Sequence, residues 1–189
     1  MAILLAFIAG AFAWTFTEYG MHHWNGHLSK GKLLFSREHL AHHRQFDYKS
    51  PWLVQVRLAL PILTLVFGGA WIVAGLACAF AFTLGLGAAY VGYGWLHNAC
   101  HQSAPRTAFG RWARRHHFYH HFSDPKYNHG VTSPLWDLVF KTYRDPGVIH
   151  VPPRRVMPWL VDEEGQVKPE YAAHYVVGGR RRRPRRDAA

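Results

Sequence analysis

Fifteen histidines occur in this chain of 189 residues, and most of them fall into four short boxes. HHWNGH carries His22 and His27, HLAHH carries His39, His42 and His43, and HNACH carries His97 and His101. HHFYHH spans residues 116–121, and within it His117, His120 and His121 repeat the H-x-x-H-H spacing of the second box. Residues at i, i+3 and i+4 share one helix face, so each H-x-x-H-H box is expected to aim three imidazoles in one direction. His97 and His101, at i and i+4, do the same with two. His22 and His27 are five apart and diverge on an ideal α-helix; Asn25–Gly26 offers a helix end or turn that would let both point inward. Neutral imidazole is a ligand for iron, zinc and copper. Ten such ligands are too many for one ion and suit two at about five each, which leaves a position for oxygen on a six-coordinate metal. Structural zinc takes four ligands, often with cysteine, and would leave most of these histidines unexplained. A pH-sensing cluster needs no repeated spacing.

The outer residues are less determined. His116 can replace His117 if the helix register turns, and His117 is favoured because it reproduces the spacing. His129 reads as a late ligand, an outer hydrogen-bond partner of a ligand, or a loop residue. His150 and His174 lie outside the boxes and are assigned no metal role. Four carboxylates lie near the boxes: Glu18, Glu38, Asp124 and Asp137. They read either as caps and surface ion pairs or as acceptors for the far N–H of a ligating imidazole. Glu18 is the most suggestive, four residues before His22 at the end of an apolar run, where an unpaired charge is costly.

Elements must bring these boxes together, and hydropathy says what they are. From Leu58 to Pro105 the chain has no Asp, Glu, Lys or Arg, which is long enough for two membrane spans. Met1–Thr17 supplies a third. Ala11–Ala13 has the small-x-small look of a cleavage site, but no positive segment precedes the run, so it is expected to remain as a span. Pro61 would kink the second helix, and the turn between the second and third falls around Gly75 or in FGGAW at 67–71. Three spans put Met1 on one side, with His22–Pro51 and everything after His97 on the other. All 22 Lys and Arg residues then fall on that second side or at its boundary, where Arg57 lies. Such an excess marks the cytoplasmic face and attracts anionic lipid. The formal charge of +11 would also fit nucleic acid, but the long charge-free segment excludes that reading. Cys78 and Cys100 lack zinc-type spacing and read as buried thiols.

After Pro105, residues 111–122 read as a helix, 123–130 as a loop and 133–143 as a short amphipathic helix on the membrane surface. The expected fold is all-α: an integral membrane bundle of about three transmembrane helices with a cytoplasmic-face, histidine-rich cap. Residues 1–160 form the domain, and 161–189 a basic, disordered C-terminal tail. The stretch RRRRPRR at 180–186 is either a solvated end or a lipid-contacting arm.

With these motifs the chain resembles the fatty acid hydroxylase and sterol desaturase superfamily of integral membrane proteins. EYGMHHWNGH (18–27) is similar to that family's E-Y-x-x-H-x-x-x-x-H entry to its first box, and the other boxes follow in the family's order. NHGVTSPLWDLVFKTY (128–143) is similar to its G-V-T-S-x-x-W-D segment. The resemblance covers about residues 14–143. It implies a dinuclear iron centre, for which zinc can substitute, held by His22, His27, His39, His42, His43, His97, His101, His117, His120 and His121. Glu18, Asp137, His116 and His129 would surround these ligands. It also implies oxygen-dependent hydroxylation or desaturation of a lipid C–H bond, in a fatty acid, sterol or related lipid. Electrons would come from a separate donor, cytochrome b5-like or ferredoxin-type, because no cytochrome b5-like domain is recognisable. Carotenoid hydroxylases have related boxes with expected gaps that match less well. A non-enzymatic membrane metal-binding protein is the reading from another class; Thr64 and Thr83 are nearly the only polar groups on helices two and three with which to pass ions. Trp71, Phe80, Phe82 and Tyr90 are candidates to line a path for the substrate chain.

Overall fold

A computed structural model describes residues 1–45 and 48–178. The Arg-rich stretch 180–186 lies outside the described residues.

The first helix, α1 (Ala2–Gly20), is apolar around its whole circumference until Glu18. It does not end at the first histidine box. The chain passes without a break into a π-helix, Met21–Leu28, so the turn expected at Asn25–Gly26 is absent. After a short connection, α2 (Leu34–Arg44) carries the second box.

One long helical element follows, α3 (Trp52–Gln102), but it is two arms rather than a rod. At Gly75 the backbone takes φ 79° and ψ 167°, a conformation that a side chain would make costly. The chain folds back there: the Phe67 and Phe80 rings meet at 4.9 Å, although thirteen residues of straight helix would hold them about 20 Å apart. Of the two turn sites read from sequence, Gly75 is therefore the one used, and 67–71 remains helical. The second arm runs parallel to α1, with Phe7 beside Gly85 and Trp14 beside Tyr90. The contact is backbone on backbone. A Cβ placed on Gly10 would lie 1.9 Å from the Phe82 carbonyl oxygen, and one on Gly85 would lie 2.0 Å from that of Phe7. Small residues permit such close approach where no hydrophobic effect drives helices together. Because the two elements run parallel, the π-helix after α1 and the box at the end of α3 emerge on the same side. Large apolar side chains elsewhere on α1 and α3 face outward, with Ile72 88% exposed.

Beyond α3, α4 (Ala108–Phe122) opens at Thr107, whose side chain accepts the Gly110 N–H at 3.0 Å. The expected surface helix at 133–143 is shorter than the sequence suggests. Only Leu135–Val139 (α5) is helical, and Lys141, at φ 59°, lies in the turn that follows it.

The all-helical expectation needs one addition. Two short strands, β1 (Ile149–Val151) and β2 (Tyr175–Val177), pair in parallel, with Ile149 opposite Tyr175. They complete the core, in which Ile149, Val151, Met157, Trp159, Leu160 and Tyr175 pack against Phe118 and Ala113 of α4 and Leu96 and Cys100 of α3. The boundary read at residue 160 thus falls inside a packed unit, because the chain runs on through the Val161–Val167 bridge to β2. Arg114 ties this unit together. It is buried, it donates to the carbonyls of Ala99, Ser103 and Gly110, and its guanidinium lies 5.6 Å from the Trp159 ring. This arginine therefore closes the free C-terminal carbonyls of α3 instead of facing lipid.

Candidate metal centre

The ten box histidines gather in two groups. His22, His27, His39, His43 and His120 form the first; His42, His97, His101, His117 and His121 form the second. Within each group the ligand-capable nitrogens all lie within 4.8 Å of one another.

Local structure explains the partition. His22 and His27 converge because a π-helix bonds i to i+5 and so brings residues five apart onto one face. His97 and His101 converge by ordinary α-helical spacing. The two H-x-x-H-H boxes behave differently from the expectation that all three rings point one way. On α2, His39 and His43 enter the first group while His42 enters the second. On α4 the split is reversed: His117 and His121 enter the second group and His120 the first. The i and i+4 rings stack along the helix, whereas the i+3 ring leans to one side and reaches across to the neighbouring group.

The nitrogens meet at short range. His120 Nε2 lies 2.9 Å from the Nε2 of His22, 2.9 Å from that of His27 and 3.1 Å from that of His43. His39 Nε2 lies 2.8 Å from that of His27 and 3.0 Å from that of His43. In the second group, His101 and His117 face each other at 2.9 Å. The contact between His22 and His120 is not an ordinary hydrogen bond. His22 Nδ1 donates to the His129 carbonyl, and His120 Nδ1 donates to the Tyr127 carbonyl at 2.8 Å. A carbonyl only accepts, so each proton sits on Nδ1 and each Nε2 presents a lone pair. Two lone pairs at 2.9 Å repel unless a cation lies between them. Protonation does not supply it: burial, reinforced by neighbouring imidazoles, pushes His39, His117, His120 and His121 well below the ordinary value of 6.5. Burial also pushes His42 down to about 4.

The spacing fits a metal. With metal–nitrogen bonds of about 2.0–2.1 Å, adjacent octahedral ligands lie about 2.9 Å apart and tetrahedral ones about 3.3 Å. The observed 2.8–3.1 Å matches the octahedral value. In the second group, the Nε2 atoms of His42 and His121 are buried without a hydrogen-bond partner among the described residues, as open ligand positions would be.

Around the first group lies a polar support. The His129 carbonyl accepts from His22, and the His129 Nε2 faces His23 Nδ1 at 3.1 Å. Asp137 holds His129 in place, accepting the backbone N–H groups of His129 at 2.9 Å and Gly130 at 2.8 Å, the Thr142 hydroxyl at 2.7 Å and His116 Nε2 at 3.2 Å. Burial alone would raise this carboxylate, but the donors outweigh it and hold Asp137 below the usual carboxylate range. His116 therefore turns to Asp137, and His117 occupies the second group. Glu18 accepts the N–H groups of Val131 and Thr132 and the Thr132 hydroxyl, clamping loop 130–133 to the end of α1.

The role considered for the carboxylates is thereby corrected. None of Glu18, Glu38, Asp124 or Asp137 accepts from the ten imidazoles among the described residues; for His22 and His120 backbone carbonyls take that place. Glu38 accepts from the Tyr48 hydroxyl at 2.7 Å, and Asp124 from the Lys126 N–H at 3.0 Å. Sequence reasoning gave no role to His23, nor to Arg155, which donates to the His43 carbonyl at 2.9 Å. A backbone acceptor carries no residue-type signature, and the Arg155 contact spans 112 positions.

A cavity of about 510 Å³ opens against both groups. Leu58, Ile62, Leu63, Leu86 and Val91 make its apolar wall, and His22, His39, His42, His97 and His101 its polar floor. Tyr90 lines it; Trp71, Phe80 and Phe82 do not.

Comparison with known proteins agrees with this architecture. Residues 7–142 match the model of the family described as Fatty acid hydroxylase. The chain is 32% identical over 151 residues to the ceramide very long chain fatty acid hydroxylase SCS7 of Saccharomyces cerevisiae, covering 74% of this chain and 38% of that protein. It is 27% identical over 156 residues to the dihydroceramide fatty acyl 2-hydroxylase FAH2 of Arabidopsis thaliana, covering 78% and 62%. A solved structure described as full-length scs7p with only the hydroxylase domain visible superposes with a TM-score of 0.65 at 29% identity, covering 78% of this chain and 58% of that one. The chain thus spans less than two thirds of each relative it is compared with here.

Proposed function

Because the chain belongs to the fatty acid hydroxylase family, we propose that it is a membrane-bound, oxygen-dependent oxidoreductase that hydroxylates the acyl chain of a lipid. Its relatives are named for hydroxylation of ceramide or dihydroceramide acyl groups, which favours hydroxylation over desaturation and an amide-linked acyl lipid as substrate. The observation that carries the reading is the arrangement of ten neutral imidazoles in two groups of five under an apolar cavity.

The ten histidines hold two metal ions, iron in the working enzyme, with zinc an inactive substitute. When bound, such a pair supplies the oxygen activation that breaking an unactivated C–H bond requires. The protein does the rest. Leu58, Ile62, Leu63, Leu86 and Val91 take up the acyl chain and keep water from it. The floor of the cavity sets which carbon lies beside the histidines. The His129 and Tyr127 carbonyls keep the protons of His22 and His120 on Nδ1, so that each Nε2 remains a ligand. Glu18 and Asp137 hold the loop that presents the His129 carbonyl.

In the membrane, α1 and the two arms of α3 make three spans, with the histidine groups on the Lys- and Arg-rich cytoplasmic side. The exposed basic residues there meet anionic lipid, and electrons come from a carrier outside the site. Metal analysis of the purified protein, together with a lipid assay dependent on oxygen and reductant, tests this reading. Two irons per chain and a hydroxylated acyl chain are expected. One tightly held zinc, with no lipid chemistry under reducing conditions, would sink it in favour of a metal-binding protein without enzymatic activity.

A further inference from the structure

The acyl cavity is not the one opening near the histidines. A second hollow, of about 560 Å³, is lined by His121, Phe122, Pro152, Pro153, Arg154 and Arg155. Both histidine groups reach it. His121 of the second group forms part of its wall, and Arg155, also in the wall, donates to the carbonyl of His43 in the first group. The His43 and His121 rings stack at 4.3 Å. Two arginines make the hollow basic, Arg154 exposed and Arg155 half-buried; Arg44, exposed and next to His43 in sequence, is not part of its wall. Among the described residues, no carboxylate lines it. Residues 152–155 lie beyond the matched family segment, which ends at 142, and the β1–β2 pairing places them here.

Hydroxylation by oxygen puts one oxygen atom into the C–H bond and releases the other as water, taking up two electrons and two protons. The acyl cavity is filled by substrate while this happens, so electrons need another entrance. We infer that the hollow bounded by His121, Arg154 and Arg155 is the docking site of an acidic one-electron carrier protein, which delivers electrons across the stacked His43 and His121 rings. The inference rests on the hydroxylase reading above. Charge complementarity selects the partner: a positive rim steers a negatively charged carrier and orients it. The stacked pair gives an arriving electron equal access to either group of ligands.

The test uses the full, iron-loaded chain in lipid nanodiscs, made with neutral lipid and, separately, with added phosphatidylserine. The probe is the soluble haem domain of a cytochrome b5, an acidic one-electron carrier. Arg154→Glu and Arg44→Glu should each weaken its binding, and slow its oxidation in stopped flow, by roughly tenfold or more, with a shallower salt dependence. Arg154→Gln should act in the same direction but less. Lys32→Glu, an exposed lysine outside the hollow, should stay within about twofold of the parent. Metal content and reduction by dithionite should be the same in every variant. Carrier binding by the two glutamate variants equal to that of the parent would overturn the proposal. So would a loss confined to nanodiscs with phosphatidylserine, which would assign the hollow to lipid head groups. Weakened carrier binding in the variants, with no hydroxylated lipid from the parent under any donor, leaves the docking site standing and removes the hydroxylase reading instead.

Discussion

His43 and His121 stack with their ring centroids 4.3 Å apart and their planes 19° from parallel, yet they belong to different groups of nitrogens. The two groups are thus in van der Waals contact, and each helix that supplies one of these rings also supplies the other group. Neighbouring residues on one helix therefore join different groups.

That crossing makes the first prediction. His43→Ala and His42→Ala, adjacent on α2, should each reduce the metal content from two ions per chain to about one, and should empty opposite sites. His120→Ala should resemble His43→Ala, and His117→Ala should resemble His42→Ala. Metal analysis gives the stoichiometry, and Mössbauer spectra of the iron-loaded variants tell which ion remains. Identical spectra from His42→Ala and His43→Ala would refute the partition.

Glu18 is 3% exposed and accepts from Val131 and Thr132. Glu18→Gln turns an amide group toward those donors and should cost about 1–3 kcal/mol of stability. Because the same loop presents the His129 carbonyl to His22, the first group should also lose metal affinity. Thermal unfolding in detergent and metal titration check the two effects; Thr132→Val, which removes one donor, should show a smaller version of both.

Asp137→Asn should destabilise the metal-free protein by about 1–3 kcal/mol near neutral pH. The sign with pH follows from its depressed carboxylate. Its contribution is complete above the ordinary value of 3.8 and is lost as pH falls through the lower folded value. The gap between parent and variant should therefore stay constant from about pH 7 to 5 and narrow only well below 3.8. Unfolding curves at several pH values measure it, and a gap that closes near pH 6 would point to the histidines instead.

Gly85→Ala should separate α1 from the second arm of α3, since its Cβ would lie 2.0 Å from the Phe7 carbonyl oxygen. A loss of about 1–3 kcal/mol is expected, read as a lower unfolding midpoint. Gly87, with nothing within 4 Å of a built Cβ, should tolerate the same change.

Gly94 lines the cavity beside the histidines and has open space at its Cβ position. Gly94→Leu should reduce turnover of long acyl chains by roughly tenfold or more while metal content stays unchanged. Product analysis over a series of chain lengths checks this. Unaltered selectivity would place the acyl chain elsewhere.

Much of this site is legible in the residue order. Imidazoles at i, i+3 and i+4 are close on any helix, and 48 residues without charge point to a membrane, whatever the tertiary fold. The ten box histidines stand out by that spacing, and Gly75 is one of the two turn sites the sequence offers. What local geometry misses is long-range. The π-helical winding at Met21–Leu28 replaces the expected turn, because His22 is held by the carbonyl of His129 and His27 faces His39 and His120. The short α5 is explained by Asp137, whose backbone carbonyl accepts from Thr142 and Tyr143 and turns the chain before a longer helix can form. Arg114 reads as one more member of a basic run until Ala99, Ser103 and Trp159 surround it.

By itself, the sequence determined the types of ligand, their clustering into four boxes and the apolar helices that carry them, because periodicity and hydropathy are properties of adjacent residues. Only the tertiary structure decided which group each histidine joins, which carbonyls hold the protons of His22 and His120, and why Glu18 and Asp137 are buried. Those outcomes depend on groups up to 114 positions apart meeting within hydrogen-bonding distance, and helical spacing carries no information about such meetings.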